Sequence, residues 1–328
     1  MSENLMEVSN LKKYFYTPRG TLHAVDNITF NIEKGKTIGI VGESGCGKST
    51  LGKTLMRLHT ATSGQVMYKG KDIAGMPIKE FKQNYRSNIQ MIFQDPYASL
   101  DPRMSVLQLV EEPIKVQNPK MDKAAVTKSA QDMMDLVGLA RRLESAYPHE
   151  LDGGRRQRIG IARALSLHPE FIVCDEPVSA LDVSIQAQIL NLLQDLQKDR
   201  GLTYMFITHD MSVVKHISDD IAVMYLGQMI EKCNAKEIFK DTIHPYSQAL
   251  LSAIPIPNVH IRKERMVLKG ELTSPINPKP CCRFAARCPY ATDQCLAEEP
   301  TLREMKPGHF VACHYAEKFM KKPEEQNG

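Results

Sequence analysis

The segment that most restricts the possible folds is Gly42–Thr50, which reads GESGCGKST and fits the pattern G-x-x-x-x-G-K-[ST]. It follows the apolar run Thr37–Val41 and precedes Leu51–Leu58, which has helical spacing. Glycines let backbone N–H groups converge on phosphate oxygens, and the helix N-terminus adds partial positive charge. The segment therefore predicts a phosphate-binding loop, with Lys48 on the β- and γ-phosphates and Ser49 on Mg²⁺. The predicted nucleotide-binding residues of this loop are Gly42, Ser44, Gly45, Cys46, Gly47, Lys48, Ser49 and Thr50.

The rest of the first 250 residues favours an α/β fold. The apolar runs Phe171–Cys174 and Tyr204–Ile207 are short enough to be buried parallel strands. Apolar residues recur at helical spacing over Val126–Val137 and Ile185–Leu196, and a glycine follows each stretch as a stop signal. Alternating strands and helices predict a parallel sheet covered by helices, with a helical insertion at roughly Val106–Leu143.

Composition and charge exclude several classes of protein. Hydrophobic residues make up 42% and charged residues 24% of the 328 positions, which is ordinary for a globular chain. The net charge of +4 is too small to indicate nucleic-acid binding by itself. No apolar run approaches the ~18 residues of a membrane span, and the N-terminus lacks the pattern of a secretory signal. We expect a cytoplasmic chain that reaches a membrane only through partners.

A pair of carboxylates ends one of the predicted strands. The run Phe171–Cys174 is followed directly by Asp175 and Glu176. Asp175 at the end of such a strand can lie near the Mg²⁺ shell of a phosphate loop, and Glu176 can polarise an attacking water as a general base. A solvated strand end is common, so the pair gains its meaning from the phosphate loop.

Four further segments stand in a characteristic order along the chain. They read FQDP at Phe93–Pro96, LDGGRRQR at Leu151–Arg158, SALD at Ser179–Asp182 and THD at Thr208–Asp210. Together with the phosphate loop and the carboxylate strand, they resemble the nucleotide-binding subunit of an ABC transporter over roughly residues 5–250.

The resemblance implies both a fold and a dimer. The fold is a P-loop ABC-type ATPase cassette with a RecA-like α/β core, an antiparallel β subdomain and a helical subdomain at about residues 96–165. The whole nucleotide-binding domain would span residues 1–250. The chain would bind ATP with Mg²⁺ and pair head to tail with a second ATPase subunit. Each ATP would lie between one chain's phosphate loop and the other chain's signature, the segment that is Leu151–Arg158 in this sequence.

The resemblance also implies individual roles. Phe15, with Tyr14 as a second candidate, would stack on adenine. Asp182 would contact the opposite subunit, and Gln94 would sense the membrane subunits. The catalytic residues would be Glu176, His209 on the γ-phosphate, and Gln94, and the Mg²⁺ ligands would be Ser49, Gln94 and Asp175.

The signature departs from the usual L-S-G-G-Q. Asp152 stands where a serine hydroxyl would contact the γ-phosphate, and Arg155 replaces glutamine, while Gly153 and Gly154 keep their backbone donors. Like charges about 4 Å apart cost on the order of 4 kcal/mol at an effective dielectric near 20, which Arg155 or Arg156 could offset. A tolerated variant and a degenerate site both stay open. We expect a heterodimer with a paralogous ATPase, with one strong and one weaker site.

The C-terminal part has a different character. Ten of the 19 prolines lie from Pro245 onward, and a boundary is expected near residues 245–262. His244–Pro255 and the segment after it resemble the extension of ATPase subunits from dipeptide, oligopeptide and nickel uptake systems. We therefore assign residues 251–328 to an oligopeptide-transporter-type extension.

Cysteines concentrate in this extension. They follow the pattern Cys282-x5-Cys288-x6-Cys295-x17-Cys313. Soft thiolates in an irregular segment suit a metal, and the short Cys-x2–4-Cys pairs of structural zinc are missing. The spacing and the resemblance favour a [4Fe–4S] cluster, with zinc and metal-free buried cysteines as alternatives. Cys281 is expected to be a spare, and His309 and His314 are candidate ligands for which a surface position is the preferred prediction.

The leading prediction is the ATPase that energises an importer of short peptides. Its partners would be a second ATPase, two transmembrane permeases and an extracytoplasmic substrate-binding protein, and it would sit on the cytoplasmic face of the membrane. Import of nickel chelates or another small solute is the first alternative. An ABC ATPase acting on nucleic acid or ribosomes is disfavoured by the single cassette and the mild charge. A redox sensor whose cysteines gate turnover is compatible with the leading prediction.

Overall fold

The computed structural model describes residues 3–254, 266, 268, 270 and 273–321. Pro255 and Pro257 of the predicted boundary region, and the end of the predicted extension after residue 321, lie outside the described residues. The chain divides into two compact units. The first unit comprises Met1–Glu3, Glu33–Lys36 and Gly75–Phe206. The second unit comprises Asn4–Ile32, Thr37–Ala74 and Ile207–Gly328.

The secondary structure alternates between strands and helices along most of the chain. The strands are β1 (Asn4–Thr17), β2 (Gly20–Glu33), β3 (Thr37–Val41), β4 (Ser63–Tyr68), β5 (Lys71–Asp72), β6 (Ile89–Ile92), β7 (Phe171–Asp175), β8 (Thr203–Thr208), β9 (Asp220–Tyr225), β10 (Gln228–Asn234), β11 (Arg303–Lys306) and β12 (His309–Val311). The helices are α1 (Lys48–Leu55), α2 (Ile78–Asn84), α3 (Val106–Gln117), α4 (Lys123–Leu136), α5 (Gly153–Leu165), α6 (Val183–Arg200), α7 (Met211–Ile217), α8 (Ala235–Lys240), α9 (Pro245–Ser252) and α10 (Asp293–Ala297).

The first unit combines buried strands with a group of helices. Its strands are neighbours in the order β8-β7-β6, and β6 runs parallel to β7 with Ile89 opposite Phe171. All five residues of β7 are buried, as expected for a strand covered on both faces. Helices α3, α4 and α5 pack on one another. Helix α3 begins at a capping box in which Ser105 and Gln108 exchange hydrogen bonds.

The second unit contains an antiparallel sheet in the order β2-β1-β4-β5 and a mixed group of strands in the order β11-β12-β10-β9-β3. Strand β3 runs parallel to β9, with Ile40 opposite Ala222. Strand β10 pairs antiparallel with both β9 and β12, and Glu231 of β10 lies opposite Val311 of β12. The C-terminal strands β12 and β11 therefore continue the pairing beyond β10.

Several sequence predictions of local structure are confirmed. Strand β3 has the predicted bounds, and α6 stops at Gly201, whose φ of 64° favours glycine. Helix α1 begins at Lys48 but ends at Leu55, three residues before the predicted end, and Arg57 follows with a φ of 56°. Among the described helices, none combines the length and apolar character needed to cross a bilayer.

Candidate nucleotide-binding site

The phosphate loop requires glycine at two positions because the backbone is both left-handed and crowded. Gly47 has a φ of 107°, and a Cβ there would lie 2.0 Å from the carbonyl oxygen of Ala24. Gly42 has a φ of 155°, and a Cβ there would lie 2.3 Å from the carbonyl oxygen of Met224. The close neighbours leave no room for a side chain at either position.

Lys48 is buried at the first position of α1 and turns back over the loop. Its Nζ donates to the carbonyl oxygens of Gly42, at 2.7 Å, and Glu43, at 3.0 Å. These carbonyls offset the cost of burying an ammonium group, and phosphate oxygens would be stronger acceptors for it. Cys46 is also buried, and burial raises the pKa of its thiol, which makes it a packing group.

The predicted adenine contact lies on β1 of the same unit. Phe15 is half-buried, and its ring meets the His59 ring edge-on at 5.4 Å. Tyr14 is occupied elsewhere, because its hydroxyl donates to Asp26 at 2.5 Å and its ring stacks on His23 at 3.9 Å. The Phe15 ring also has the Lys13 ammonium group 4.6 Å from its centroid, so both rings are engaged within this unit.

In the first unit, the structure brings two predicted catalytic residues together. The Nε2 of Gln94 donates to Oε2 of Glu176 at 2.9 Å. Glu176 follows the buried Asp175 at the end of β7 and has a φ of 46°, which is unusual for a residue other than glycine. Such a conformation costs about 1–3 kcal/mol and often marks a functional position. Gln94 and Glu176 are therefore in direct contact at the end of β7.

Asp152 of the signature is the N-cap of α5. Its Oδ1 accepts the backbone N–H of Arg155 at 2.8 Å, and its Oδ2 lies 3.3 Å from a guanidinium nitrogen of the same Arg155. The carboxylate that was expected to repel a γ-phosphate is thus paired with a positive charge. Arg156, the second candidate for this role, instead donates to the carbonyl oxygen of Pro148 and stacks over Tyr97 at 4.0 Å.

The aspartate loop, Ser179–Asp182, adjoins the signature within the same unit. Asp182 caps α6 by accepting the N–H of Ile185 at 3.0 Å and the hydroxyl of Ser184 at 2.8 Å, and these bonds lower the pKa of Asp182. A Cβ at Gly154 would lie 2.7 Å from the Ile185 side chain, so the glycine is needed for close packing of α5 on α6. The two segments therefore pack closely against each other at Gly154.

His209 lies in the second unit between the end of β8 and the start of α7. It is exposed, and its neighbour Asp210 fixes the turn. The N–H of Asp210 donates to Oγ1 of Thr208 at 3.1 Å, and its carboxylate accepts the N–H of Ser212 at 2.7 Å. The histidine is thus presented on a short, well-defined turn.

Sequence reasoning missed one contact of the phosphate loop. The N–H of Glu43 donates to the hydroxyl of Tyr246 at 2.9 Å, although the two residues lie 203 positions apart. Tyr246 belongs to His244–Pro255, a segment that indicated only the resemblance to the transporter extension. No spacing or periodicity in the chain signals this contact, because it depends on the packing of α9.

Comparison with known proteins identifies the family. Residues 25–179 match the family model described as ABC transporter, and residues 230–295 match the one described as oligopeptide/dipeptide transporter, C-terminal region. The chain is 50% identical over 309 residues to the oligopeptide transport ATP-binding protein OppF of Escherichia coli, covering 94% of this chain and 92% of that protein. This chain belongs to the ATP-binding subunits of oligopeptide/dipeptide ABC transporters.

Other similarities agree with this family. The oligopeptide transport ATP-binding protein AppF of Bacillus subtilis is 48% identical over 321 residues, which cover 95% of this chain and 97% of that protein. A solved ATP-binding cassette, MJ0796 bound to ADP and Pi, superposes with a TM-score of 0.65 at 28% identity, covering 70% of this chain and 98% of that one. The predicted ABC ATPase cassette fold is confirmed, and the chain is an ATPase of this type.

The four predicted cysteine ligands of this ABC subunit line one small cavity of about 20 Å³. They are Cys282, Cys288, Cys295 and Cys313. Backbone N–H groups two residues ahead donate to three of the four sulfurs, those of Cys282, Cys288 and Cys313. Burial raises the pKa of the Cys282 thiol to about 12. Within the described ranges, no group of three or more His, Cys, Asp or Glu side chains is arranged to hold a single metal ion.

The prediction that His309 is a surface residue is wrong. His309 on β12 is buried, and its Nε2 lies 2.8 Å from Oε1 of Glu231, which is fully buried on β10. The same carboxylate accepts the backbone N–H groups of Ile243 and His244 at 2.8 and 3.1 Å. A buried carboxylate requires such partners, so His309 serves strand pairing and the start of α9. His314 contacts the carbonyl oxygen of Glu298 at 3.1 Å.

Proposed function

We propose that this ATPase energises the import of short peptides. The observation that carries the proposal is that the chain matches both the cassette and the C-terminal region of oligopeptide/dipeptide transporters, and that its relatives OppF and AppF bear the name oligopeptide transport ATP-binding proteins. Two permease subunits and an extracytoplasmic substrate-binding protein would handle the cargo. The chain would work on the cytoplasmic side of the membrane, held by the permeases.

The site residues take the following proposed roles in ATP hydrolysis. Lys48 and His209 bind the γ-phosphate, and Phe15 stacks on adenine. Glu176 accepts a proton from the attacking water, which the hydrogen-bonded Gln94 orients. Mg²⁺, which would be bound by Ser49, Asp175 and Gln94, supplies positive charge to the phosphates.

We further propose a head-to-tail heterodimer with a paralogous ATPase. In such a pair the α5 N-terminus with Gly153 and Gly154 would face the partner's nucleotide, and Asp182 would contact the partner chain. The ion pair between Asp152 and Arg155 supports a tolerated signature variant, since the negative charge is already neutralised within the chain.

The cysteine cavity is proposed to hold a [4Fe–4S] cluster. Four thiols around one cavity, three of them with N–H···S bonds, suit a thiolate-ligated cluster. When bound, the cluster would cross-link the irregular segment that carries its ligands. Anaerobic purification with iron, sulfide and zinc analysis tests the assignment, because zinc at one equivalent without sulfide would overturn it.

The peptide function is tested in proteoliposomes that contain this chain, its partner ATPase, both permeases and the substrate-binding protein. ATP turnover should rise when the binding protein is loaded with a short peptide and should stay at its basal level with the empty protein. The same assembly with Glu176→Gln serves as the control for turnover by this chain. Stimulation by a nickel chelate and by no peptide would instead indicate the import of nickel chelates.

A further inference from the structure

Two arginines of the C-terminal segment contact the nucleotide-binding part of the second unit. Arg283 donates to the carbonyl oxygen of Leu226 and to the carboxylate of Asp26. Arg287 forms two bonds with the Glu43 carboxylate, at 2.5 and 3.0 Å. Glu43 is the second residue of the phosphate loop, directly after Gly42. The cysteine-bearing segment therefore reaches the nucleotide loop itself.

The turn that carries these arginines is short and internally bonded. The N–H of Ala285 donates to the carbonyl oxygen of Cys282 at 3.0 Å, and the N–H groups of Arg287 and Cys288 both donate to the carbonyl oxygen of Phe284 at 3.0 Å. Cys282 and Cys288 line the cysteine cavity at the two ends of this turn. The position of Arg287 is thus determined by the same backbone that presents two cysteines.

The backbone N–H, the carbonyl oxygen and the carboxylate of Glu43 each form a hydrogen bond. Its N–H donates to Tyr246, its carboxylate binds Arg287, and its carbonyl oxygen accepts the Nζ of Lys48. The carboxylate pair is bidentate and largely shielded, with the Arg287 side chain 10% and the Glu43 side chain 31% exposed. Paired charges in such surroundings interact more strongly than those on an open surface.

An aromatic cluster packs against the turn that carries Arg287 and supports its contact with Glu43. Tyr225 and Tyr246 meet at 4.8 Å between ring centroids, and Phe284 of the turn packs against them at 5.3 and 5.5 Å. All three rings are buried. The turn cannot shift without disturbing the Tyr246 hydroxyl that accepts the Glu43 N–H, so both anchors of Glu43 depend on one packed unit.

We propose that Arg287 is a positioning residue for the phosphate loop, and that through it the cysteine-bearing turn sets the affinity for nucleotide. Arg287 does not touch the nucleotide in this proposal. It holds Glu43 so that the loop backbone and Lys48 are already arranged for phosphate binding, which lowers the ordering cost of binding. The inference rests on ATP binding by this loop, and it is independent of the peptide cargo.

The direct test is titration of the purified chain with a fluorescent ATP analogue. Arg287→Met should weaken nucleotide binding by roughly tenfold, and Arg287→Lys should recover part of the loss because lysine keeps the charge but loses the bidentate geometry. The matched control is Arg141→Met, which removes an exposed bidentate pair with Asp135 and should change affinity less than twofold. Equal affinity of Arg287→Met and the unchanged chain would overturn the proposal.

A second measurement separates positioning from general damage. Hydrogen exchange of the peptide that contains Gly42–Lys48 should speed up in Arg287→Met, while exchange in α4 and α5 stays unchanged. If Arg287→Met does not fold, Glu43→Gln replaces it, since that change removes the charge from the pair and leaves the turn intact. Unchanged hydrogen exchange in the loop, in whichever variant folds, would show that the Arg287–Glu43 pair does not order the loop. That result would overturn the proposal.

The link to the cysteines has its own test. Cys288→Ser alters one end of the turn without touching Arg287 and should weaken nucleotide binding in the same direction as Arg287→Met. The readout is again nucleotide affinity of the chain alone, so failure of peptide transport would not affect the result. Weaker binding in Arg287→Met with normal binding in Cys288→Ser would confine the positioning role to Arg287. It would overturn the proposal that the cysteine-bearing turn sets the affinity for nucleotide.

Discussion

Asp152 and Asp182 in the first unit each accept an N–H group three residues ahead, whereas Glu43 in the second unit is held by residues 203 and 244 positions away. The first two contacts form whenever the helix forms, because an N-cap and its helix are neighbours in the chain. The contacts of Glu43 form only after the C-terminal segment has packed. The comparison shows that the signature is assembled locally, while the phosphate loop depends on distant parts of the chain.

The largest effect is expected in the first unit, at Glu176. In an assembly whose partner ATPase is itself inactive, Glu176→Gln should lower ATP turnover by about 10³-fold, because the amide cannot accept the proton of the attacking water. Nucleotide binding should persist, since the change leaves the phosphate loop untouched. The matched control is Glu80→Gln on the exposed side of α2, measured in the same turnover assay. Turnover above a tenth of the original rate would show that Glu176 is not the general base.

The phosphate loop provides the second test. Gly47→Ala should weaken nucleotide binding by about 100-fold, because the new Cβ would meet the carbonyl oxygen of Ala24 at 2.0 Å. Gly160→Ala in α5 is the control, since a Cβ there meets nothing within 4 Å. Titration with a fluorescent nucleotide measures both. Binding within tenfold of normal in Gly47→Ala would mean that the loop can shift, which would contradict its long-range anchoring.

A pH-dependent contribution to stability is expected from Asp241, which anchors the C-terminal segment. Burial alone would raise the pKa of Asp241, but hydrogen bonds from Lys306 and the backbone of Lys321 lower it overall. A lowered folded-state pKa contributes stability above the ordinary pKa near 3.8, and this contribution is lost as the pH falls through the folded value. At neutral pH, Asp241→Asn should cost about 2–3 kcal/mol of unfolding free energy.

Denaturant titration between neutral and acid pH checks this prediction. The stability difference between the unchanged chain and Asp241→Asn should shrink as the pH falls below 4. Asp132→Asn, at an exposed ion pair on α4, is the control and should change stability by less than about 0.5 kcal/mol. A difference that stays constant with pH would show that the charge of Asp241 is not what stabilises the segment.

The smallest effects are expected at the signature. Asp152→Ser keeps an N-cap and removes a charge that Arg155 already neutralises, so turnover of the paired ATPases should change less than about twofold. Arg155→Gln leaves the carboxylate unpaired and should lower turnover by about five- to tenfold. Both are measured in the complete assembly. A large gain of turnover in Asp152→Ser would instead support a degenerate site.

Much of the cassette could be predicted from the chain alone. The strand before the phosphate loop, the strand that ends at Asp175 and the stop at Gly201 are local patterns, and the structure confirms them. The burial of His309 was predicted wrongly, because its partner Glu231 lies 78 positions away and an isolated histidine gives no sign of burial. The three-residue error at the end of α1 has a local cause, the left-handed Arg57.

The sequence by itself determined the chemistry that this protein can perform, because phosphate binding and proton transfer need particular residue types in short, ordered segments. Only the tertiary structure decided how these groups are held. It brought Gln94 into hydrogen-bond contact with Glu176 and paired Arg155 with Asp152. It also brought both Arg287 and Tyr246 into contact with Glu43. The physical reason is that side-chain pairing across long stretches of chain depends on packing geometry, which no local periodicity encodes.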